Sequence, residues 1–525
     1  MKPKQAFILV AVLSTIFLVG MAATVYYVFH VPIWIIAVVA ALLVASLVVE
    51  DTLLPKKKLY YHDDALRPRI PEKLLQSSPV SNSVVFGVDK YSGKYVMKEP
   101  SQIAHTMVFG QTGSSKTASV VLPSILSCTS GSKQILDIKS RELVIKSADL
   151  KNPLTYIVDI NRSDEFCYGW DVFYKLKEAG PNPEEHAVLQ VLEQISPVII
   201  SSDAKTSDPF WTSGARNLFT GLCLYEYVYA KRRNIVDIIE ITLATPLREH
   251  LEIALNTVRT DSLVAKFLNA YRDCAEETLM SVQITMTQPL YIFLQKDVSY
   301  AFRENPRKAD PTLLEKEGVS MYLCVDETRL DAGYDKLVQI ILKQTLYEIQ
   351  LRSGEYKGAI TNLYWDEFGR CSDSCEDVVK TTASFLKTAR SRATNVTLVS
   401  QSADSFDKRL LYDILANITY LLILNCSNAN SLTAEIVTKM VGSYYEKTRS
   451  YTSSSGKNRS STTSFQEKAV LKPDDLNTLG DEAILLVSNM GYFRTDKSKS
   501  AYYKYEPFKS VYHERYAVNS RLLPE

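Results

Sequence analysis

The sequence predicts an α/β fold with a parallel-rich central sheet, an inserted all-α region and an N-terminal pair of membrane-spanning helices. Three observations carry that expectation. Short apolar, β-prone runs alternate with helical stretches on both sides of residues 173–295, a spacing that suits parallel strands joined by crossover helices. Residues 173–295 instead show apolar spacing near 3.6 and few strand signals, the pattern of packed helices. The first fifty residues hold two long apolar runs, 6–29 and 31–49, each near the length that spans a bilayer.

Length and charge narrow the field. A chain of 525 residues is too long for one ordinary core, so two or three domains are expected. The formal charge of +1, from 60 Lys and Arg against 59 Asp and Glu, carries no global polyanion-binding signature, and any nucleic-acid contact must be local. The eight cysteines, at 128, 167, 223, 274, 324, 371, 375 and 426, show no paired metal spacing; they suit buried thiols in a reducing compartment.

At the N-terminus, Lys2 and Lys4 precede the first apolar run and Lys56, Lys57 and Lys58 follow the second. The positive-inside rule then places both ends in the cytoplasm. A cleaved signal peptide would have a shorter apolar region and a small-residue cleavage site; one long kinked anchor is the other alternative. Residues 55–71 read as a charged, proline-containing linker, and 84–86 and 95–97 as a hairpin about a turn at 91–94.

Residues 107–109 form an apolar strand pattern that turns through Gly110, Gln111, Thr112, Gly113, Ser114 and Ser115 into a helical pattern beginning at Lys116 and Thr117 and ended by Pro123. A strand, a glycine-bearing loop and a helix N-terminus together aim backbone N–H groups at an anion and suit a polyphosphate. Lys116 would reach the β- and γ-phosphates of ATP and the Thr117 hydroxyl would ligate Mg²⁺. The pattern G-x-x-x-x-G-K-[ST] is met at Gly110, Lys116 and Thr117 but missed at its second glycine, where Ser115 stands.

Strands at 134–137 and 156–159 end in Asp137 and Asp159, which face either a ligand at the strands' carboxyl ends or the N-terminus of the next helix. Helices follow at 183–198, 208–229, 235–243, 247–257 and 260–288, with Asp208 as a cap, Pro209 in a first turn and Phe210 and Trp211 as core aromatics. The α/β pattern returns with a strand at 319–325, a helix at 337–351 and a strand at 359–365 that ends in Asp366 and Glu367. Opposite a phosphate loop, Asp366 would hold the Mg²⁺ shell and Glu367 would polarise the attacking water. After a helix at 378–388 come Arg390 and Arg392, then a strand at 396–400 ending in Gln401. Gln401 can sense the γ-phosphate or orient water. Arg390 or Arg392 either supplies transition-state charge, including to a neighbouring subunit, or lies in a solvated loop. Beyond a strand at 420–424, residues 448–464 read as an exposed Ser/Thr-rich loop with Arg449, Lys457 and Arg459, able to touch a phosphate backbone or inert. Runs at 483–487 and 502–508 read as closing strands.

The order of these parts resembles the type IV secretion coupling proteins, the TraG/TraD-like conjugation ATPases, within the hexameric additional-strand motor class that includes FtsK-like DNA pumps. The resemblance rests on GQTGSSKT at 110–117, DPFWTSGARNLFTGL at 208–222, LYWDEFGR at 363–370, TLVSQSADSF at 397–406 and LKPDDLNTLGDEAILLV at 471–487. It implies a RecA-like P-loop ATPase fold divided into a membrane anchor at 1–58, a nucleotide-binding domain at 59–172 and 296–525, and an all-α domain at 173–295. It implies the Walker A roles for Lys116 and Thr117, the Walker B roles for Asp366 and Glu367, a sensing role for Gln401 and an arginine-finger position at Arg390 or Arg392. It further implies a homo-hexamer at the bacterial inner membrane that receives DNA, single-stranded and relaxase-bound, or protein, and works with relaxosome proteins and secretion-channel components. Two departures stand out: Ser115 in the loop, and Ser140 and Arg141 within what is usually an Asp-x-Lys-Gly-Glu run. A chromosome-type translocase is the near alternative, although the tail after Val487 is short for a winged-helix DNA reader. A non-hydrolysing nucleotide-dependent receptor or assembly factor is the more distant one.

Overall fold

The computed structural model describes residues 68–201, 209–372, 376–426, 431–453 and 459–522. The expected membrane hairpin, 6–29 and 31–49, and the Asp208 cap lie outside the described residues. Among the described residues no helix is long and apolar enough to cross a membrane. The placement as a multi-pass inner-membrane protein is therefore withdrawn.

Residues 64–444 and 467–525 form one compact unit. In chain order its strands are β1 (Leu75–Gln76), β2 (Val85–Val88), β3 (Tyr95–Met97), β4 (Thr106–Phe109), β5 (Ser132–Asp137) and β6 (Thr155–Asp159). Then come β7 (Gly169–Trp170), β8 (Lys308–Ala309), β9 (Ser320–Cys324), β10 (Thr361–Trp365), β11 (Thr394–Ser400) and β12 (Tyr420–Ile423). A hairpin, β13 (Ser443–Ser453) and β14 (Arg459–Ala469), most of which falls in the other unit, precedes β15 (Glu482–Val487) and β16 (Gly491–Asp496) in sequence.

Twelve strands join in one sheet in the order β1-β3-β2-β16-β15-β12-β4-β11-β10-β5-β9-β6. From β12 to β6 every pairing is parallel, while the strands from β1 to β15 add an antiparallel extension. The parallel strands are buried at nearly every position because both faces are covered,, although β5, β10 and β11 carry polar residues such as Gln134, Asn362 and Thr397. Alternate residues divide between two cores: Met107, Phe109, Trp365 and Leu398 face one, and Val108, Ile135, Tyr364 and Val399 the other. The first core runs on without a break into the helices Glu185–Ile199, Pro209–Val228, Ile235–Ala244, Leu247–Thr257, Leu263–Arg272 and Glu276–Thr287.

Several sequence readings need correction. The single helix expected at 260–288 is two, Leu263–Arg272 and Glu276–Thr287. The Ser262 side chain caps the first, and Glu276 and Glu277 start the second where acids favour a helix N-terminus. Phe210 is largely exposed rather than a core aromatic; Trp211 does pack against the core. Of the Ser/Thr-rich stretch, residues 448–453 and 459–464 lie on the two strands β13 and β14, since Thr and Tyr are strand formers whatever their polarity; Lys457 lies outside the described residues. The closing strand read at 502–508 is instead β16, and Pro507 leads into a helix, Phe508–Asn519.

Candidate functional site

Because the central strands are parallel, their carboxyl ends share one edge, and the loops leaving β4, β5, β9, β10 and β11 meet there,. The loop after β4 is clamped at its start: Gly110 N–H donates to the Ser400 carbonyl at 3.3 Å and Gln111 N–H to the Asn425 carbonyl at 2.9 Å. A Cβ at Gly110 would lie 2.5 Å from Ser114 Oγ and 2.9 Å from Leu424 Cβ, so only glycine fits the clamp. Gly113 and Ser115 both adopt left-handed backbone, with φ of 79° and 71°. Ser115 thus keeps the conformation that a glycine would hold at this position, at the cost a Cβ brings there.

Lys116 is buried, and its Nζ donates to the Gly110 carbonyl at 2.6 Å and lies 3.6 Å from Glu367 Oε1. Burial lowers its pKa, while Glu367 and Asp366 oppose the change. The Thr117 hydroxyl donates to Asp366 Oδ2 at 2.9 Å, across 249 residues of sequence. Asp366 is pushed up to about 6 by burial and by the neighbouring Glu367 carboxylate, with the Thr117 hydrogen bond pulling the other way. Glu367 sits at φ 50° just past β10, a strained position of the kind that collects at functional sites. Its Oε1 faces Lys116 and Lys139; its Oε2 is buried with no hydrogen-bond partner, as is Ser114 Oγ.

These groups open onto a cavity of about 580 Å³ whose walls include residues 111–117, Lys139, Glu327, Glu367, Arg370 and Gln401. The structure therefore brings the phosphate loop, Asp366, Glu367 and Gln401 to one edge. Arg390 and Arg392 are not among its lining residues. They sit in the turn Ala389–Arg392 that feeds the start of β11, a whole strand away from Gln401, roughly 20 Å at strand rise. There Arg390 donates to Thr419 Oγ1 at 2.7 Å and to the Asn417 carbonyl.

Sequence reasoning missed Lys139, Glu142, Lys146, Glu327, Arg370, Tyr502 and Tyr503 as cavity residues. Lys139 could have been found, because it follows β5 as Lys116 follows β4. The aromatic pair gave no signal, having been taken for part of a strand. Asp137 is no ligand-side acid: it caps the helix Glu142–Ser147, accepting from Leu143 and Val144 N–H at 2.7 and 3.1 Å. Ser140 and Arg141 both take left-handed backbone. Arg141 is fully buried and pairs with Asp159 at 2.6 Å and Asp164 at 2.7 Å, so Asp159 is committed to an internal ion pair.

Fold and site together define a phosphate-loop α/β protein in which a further strand, β11, separates the loop strand β4 from the acidic strand β10. A family model described as type IV secretory system conjugative DNA transfer matches residues 69–523, and the chain belongs to that family. No curated protein matches the sequence. Among solved structures, the unbound bacterial conjugative coupling protein TrwBΔN70 is similar at a TM-score of 0.57 and 12% identity, over 82% of this chain and 95% of that one. TrwB in complex with ADP and Mg²⁺ is similar at 0.58 and 14%, over 82% and 92%. A further structure of the same protein holds the ATP analogue ADPNP, at 0.58 and 13%. At these identities the likeness is one of fold.

Proposed function

We propose that this chain is an ATPase of conjugative DNA transfer that couples hydrolysis to the passage of relaxase-bound, single-stranded DNA. The observation that carries the reading is the bond from Thr117 Oγ1 to Asp366 Oδ2 at 2.9 Å, with Glu367 and Lys116 beside it. A converging hydroxyl and carboxylate are the oxygen donors that would hold Mg²⁺ beside a bound polyphosphate. The two buried polar atoms without partners, Ser114 Oγ and Glu367 Oε2, open into the same place and fit a ligand that supplies hydrogen bonds. Bound Mg²⁺ would neutralise the phosphates' charge, held by Thr117 and Asp366.

The loop residues 110–115 and Lys116 bind and orient the triphosphate. Glu367 accepts the proton of the attacking water, and Gln401 orients that water or senses the γ-phosphate. Arg390 and Arg392, at the other end of β11, act on the site of a neighbouring copy in a ring, which is a hexamer in this reading. Residues 173–295 form the substrate-receiving domain, with the nucleotide-binding domain at 59–172 and 296–525, and relaxosome and secretion-channel proteins are the partners.

The test is steady-state phosphate release from ATP by the full chain, with and without single- and double-stranded DNA, beside Glu367→Gln. Turnover that rises with single-stranded DNA and falls by about 10²-fold or more in the variant is expected. Equal turnover in the two proteins would remove Glu367 from its role. Nucleotide binding without turnover under any condition would leave a nucleotide-dependent receptor or assembly factor in place of a motor.

A further inference from the structure

One wall of the cavity is aromatic, and nothing in the hydrolytic machinery uses it. Tyr502 and Tyr503 line the same space as the phosphate loop, although they lie almost four hundred residues further along the chain. Backbone bonds fix them there: Tyr502 N–H donates to the Ala118 carbonyl at 3.0 Å, one residue past Thr117. The Ser500 hydroxyl donates to the Ser119 carbonyl at 2.9 Å. Tyr502 is buried and wedged edge-on against Tyr512, with centroids 4.7 Å apart, and carries Tyr503 at 5.3 Å and 84°. Lys146 Nζ stands 5.6 Å from the Tyr502 centroid, tied to Glu142. Tyr503 is held differently: its ring is 54% exposed although its backbone neighbours are fixed.

An aromatic ring with exposed area, set beside a polyphosphate cradle, is what a nucleobase stacks on. The cavity volume lies within the range of small-molecule sites, leaving room for more than a triphosphate. We infer that Tyr503, positioned by Tyr502, is the platform for the base of the bound nucleotide. The inference rests on the nucleotide reading above and deepens it. A ring face offers no directional donor or acceptor, so it grips purines by area and distinguishes adenine from guanine weakly.

The experiment is calorimetric titration of the full chain with Mg·ATP, Mg·GTP and inorganic tripolyphosphate, for the natural protein, Tyr503→Ala and Tyr503→Phe. Tyr503 is exposed enough to be truncated without opening the core, and unchanged melting temperatures would establish that. Tyr503→Ala should weaken ATP and GTP by about tenfold, the scale of one lost base stack, and leave tripolyphosphate unchanged. Tyr503→Phe should bind like the natural protein. Equal losses for ATP and tripolyphosphate, or a change below twofold for ATP, would overturn the platform, as would a preference above tenfold between the two purines. Natural protein that binds tripolyphosphate as tightly as ATP would also overturn it while sparing the phosphate cradle. Natural protein that binds neither would remove the nucleotide reading and the platform together.

Discussion

The two ends of the parallel strands are built on opposite terms. At the amino ends, side chains close on one another: Asn362 Nδ2 donates to Asn82 Oδ1 at 2.8 Å, Asn395 Nδ2 to Asn362 Oδ1 at 3.0 Å, and Ala104 N–H to Asn395 Oδ1 at 3.0 Å. Arg352 and Ser132 join the same seam through Thr361 and the Leu314 carbonyl. At the carboxyl ends, Ser115 and Glu367 hold left-handed backbone, and Ser114 and Glu367 keep buried atoms unpaired. The difference teaches that the asparagine chain at one end is completed internally, although His105, Thr106 and Arg352 keep unpaired buried atoms there, whereas the unpaired atoms at the other end belong to Ser114 and Glu367, which line the cavity. Asn362 belongs to the first end, while Asp366 and Glu367, just past the other end of the same strand, belong to the second.

Substitution should separate the ends. Lys116→Ala at the open end is expected to weaken nucleotide binding by roughly 10²-fold or more, read by titration, while leaving thermal stability within the range of an ordinary substitution. Undiminished binding would break the comparison. Asn362→Leu at the closed end strands the Asn82 and Asn395 partners and should cost about 1–3 kcal/mol of stability, read by urea unfolding, with nucleotide affinity unchanged in the folded protein.

A last effect sharpens the contrast within the open end, through pH. Asp366 titrates in the fold at about 6 against an ordinary value of 3.8. Its buried charge therefore opposes folding at pH 7, and that cost is relieved as pH falls through about 6 toward 4. Asp366→Asn should stabilise the nucleotide-free protein at pH 7 by up to about 3 kcal/mol, a gain that fades by pH 4.5 in paired melting curves. Magnesium-dependent nucleotide binding should move the other way, weakening below about pH 6 in the natural protein as the carboxylate is protonated. A variant no more stable than the natural chain at pH 7 would show that the carboxylate is solvated.

Most of the open end was legible in the sequence because its parts are contiguous: residues 110–117 and 363–367 each carry their own strand-to-loop signature. The parallel sheet was legible too, since short apolar, β-prone runs alternate with helical stretches at the spacing of crossover units,. What escaped depends on distant pairing or on a residue's neighbours in space. Arg141 looked like a break in a motif, and only the fold reveals it as a buried cation between Asp159 and Asp164. Hairpin β13–β14 was hidden by its Ser/Thr composition, and β16 by an alternation too short to stand out. Tyr502 and Tyr503 sit in an aromatic-rich stretch whose period fits a strand as well as a wall.

That wall has a consequence for the life of the chain before it is finished. The residues that pin to the helix after the phosphate loop, Ser500 and Tyr502, leave the ribosome well after that loop does. Asn519 emerges later still, and its amide ties off the carbonyls of Val144, Ile145 and Ala148 at the end of the helix beside the cavity. A nascent polypeptide that stops short of these residues therefore carries the cradle without this wall, so synthesis itself delays completion of the site until residues 500–519 have been made.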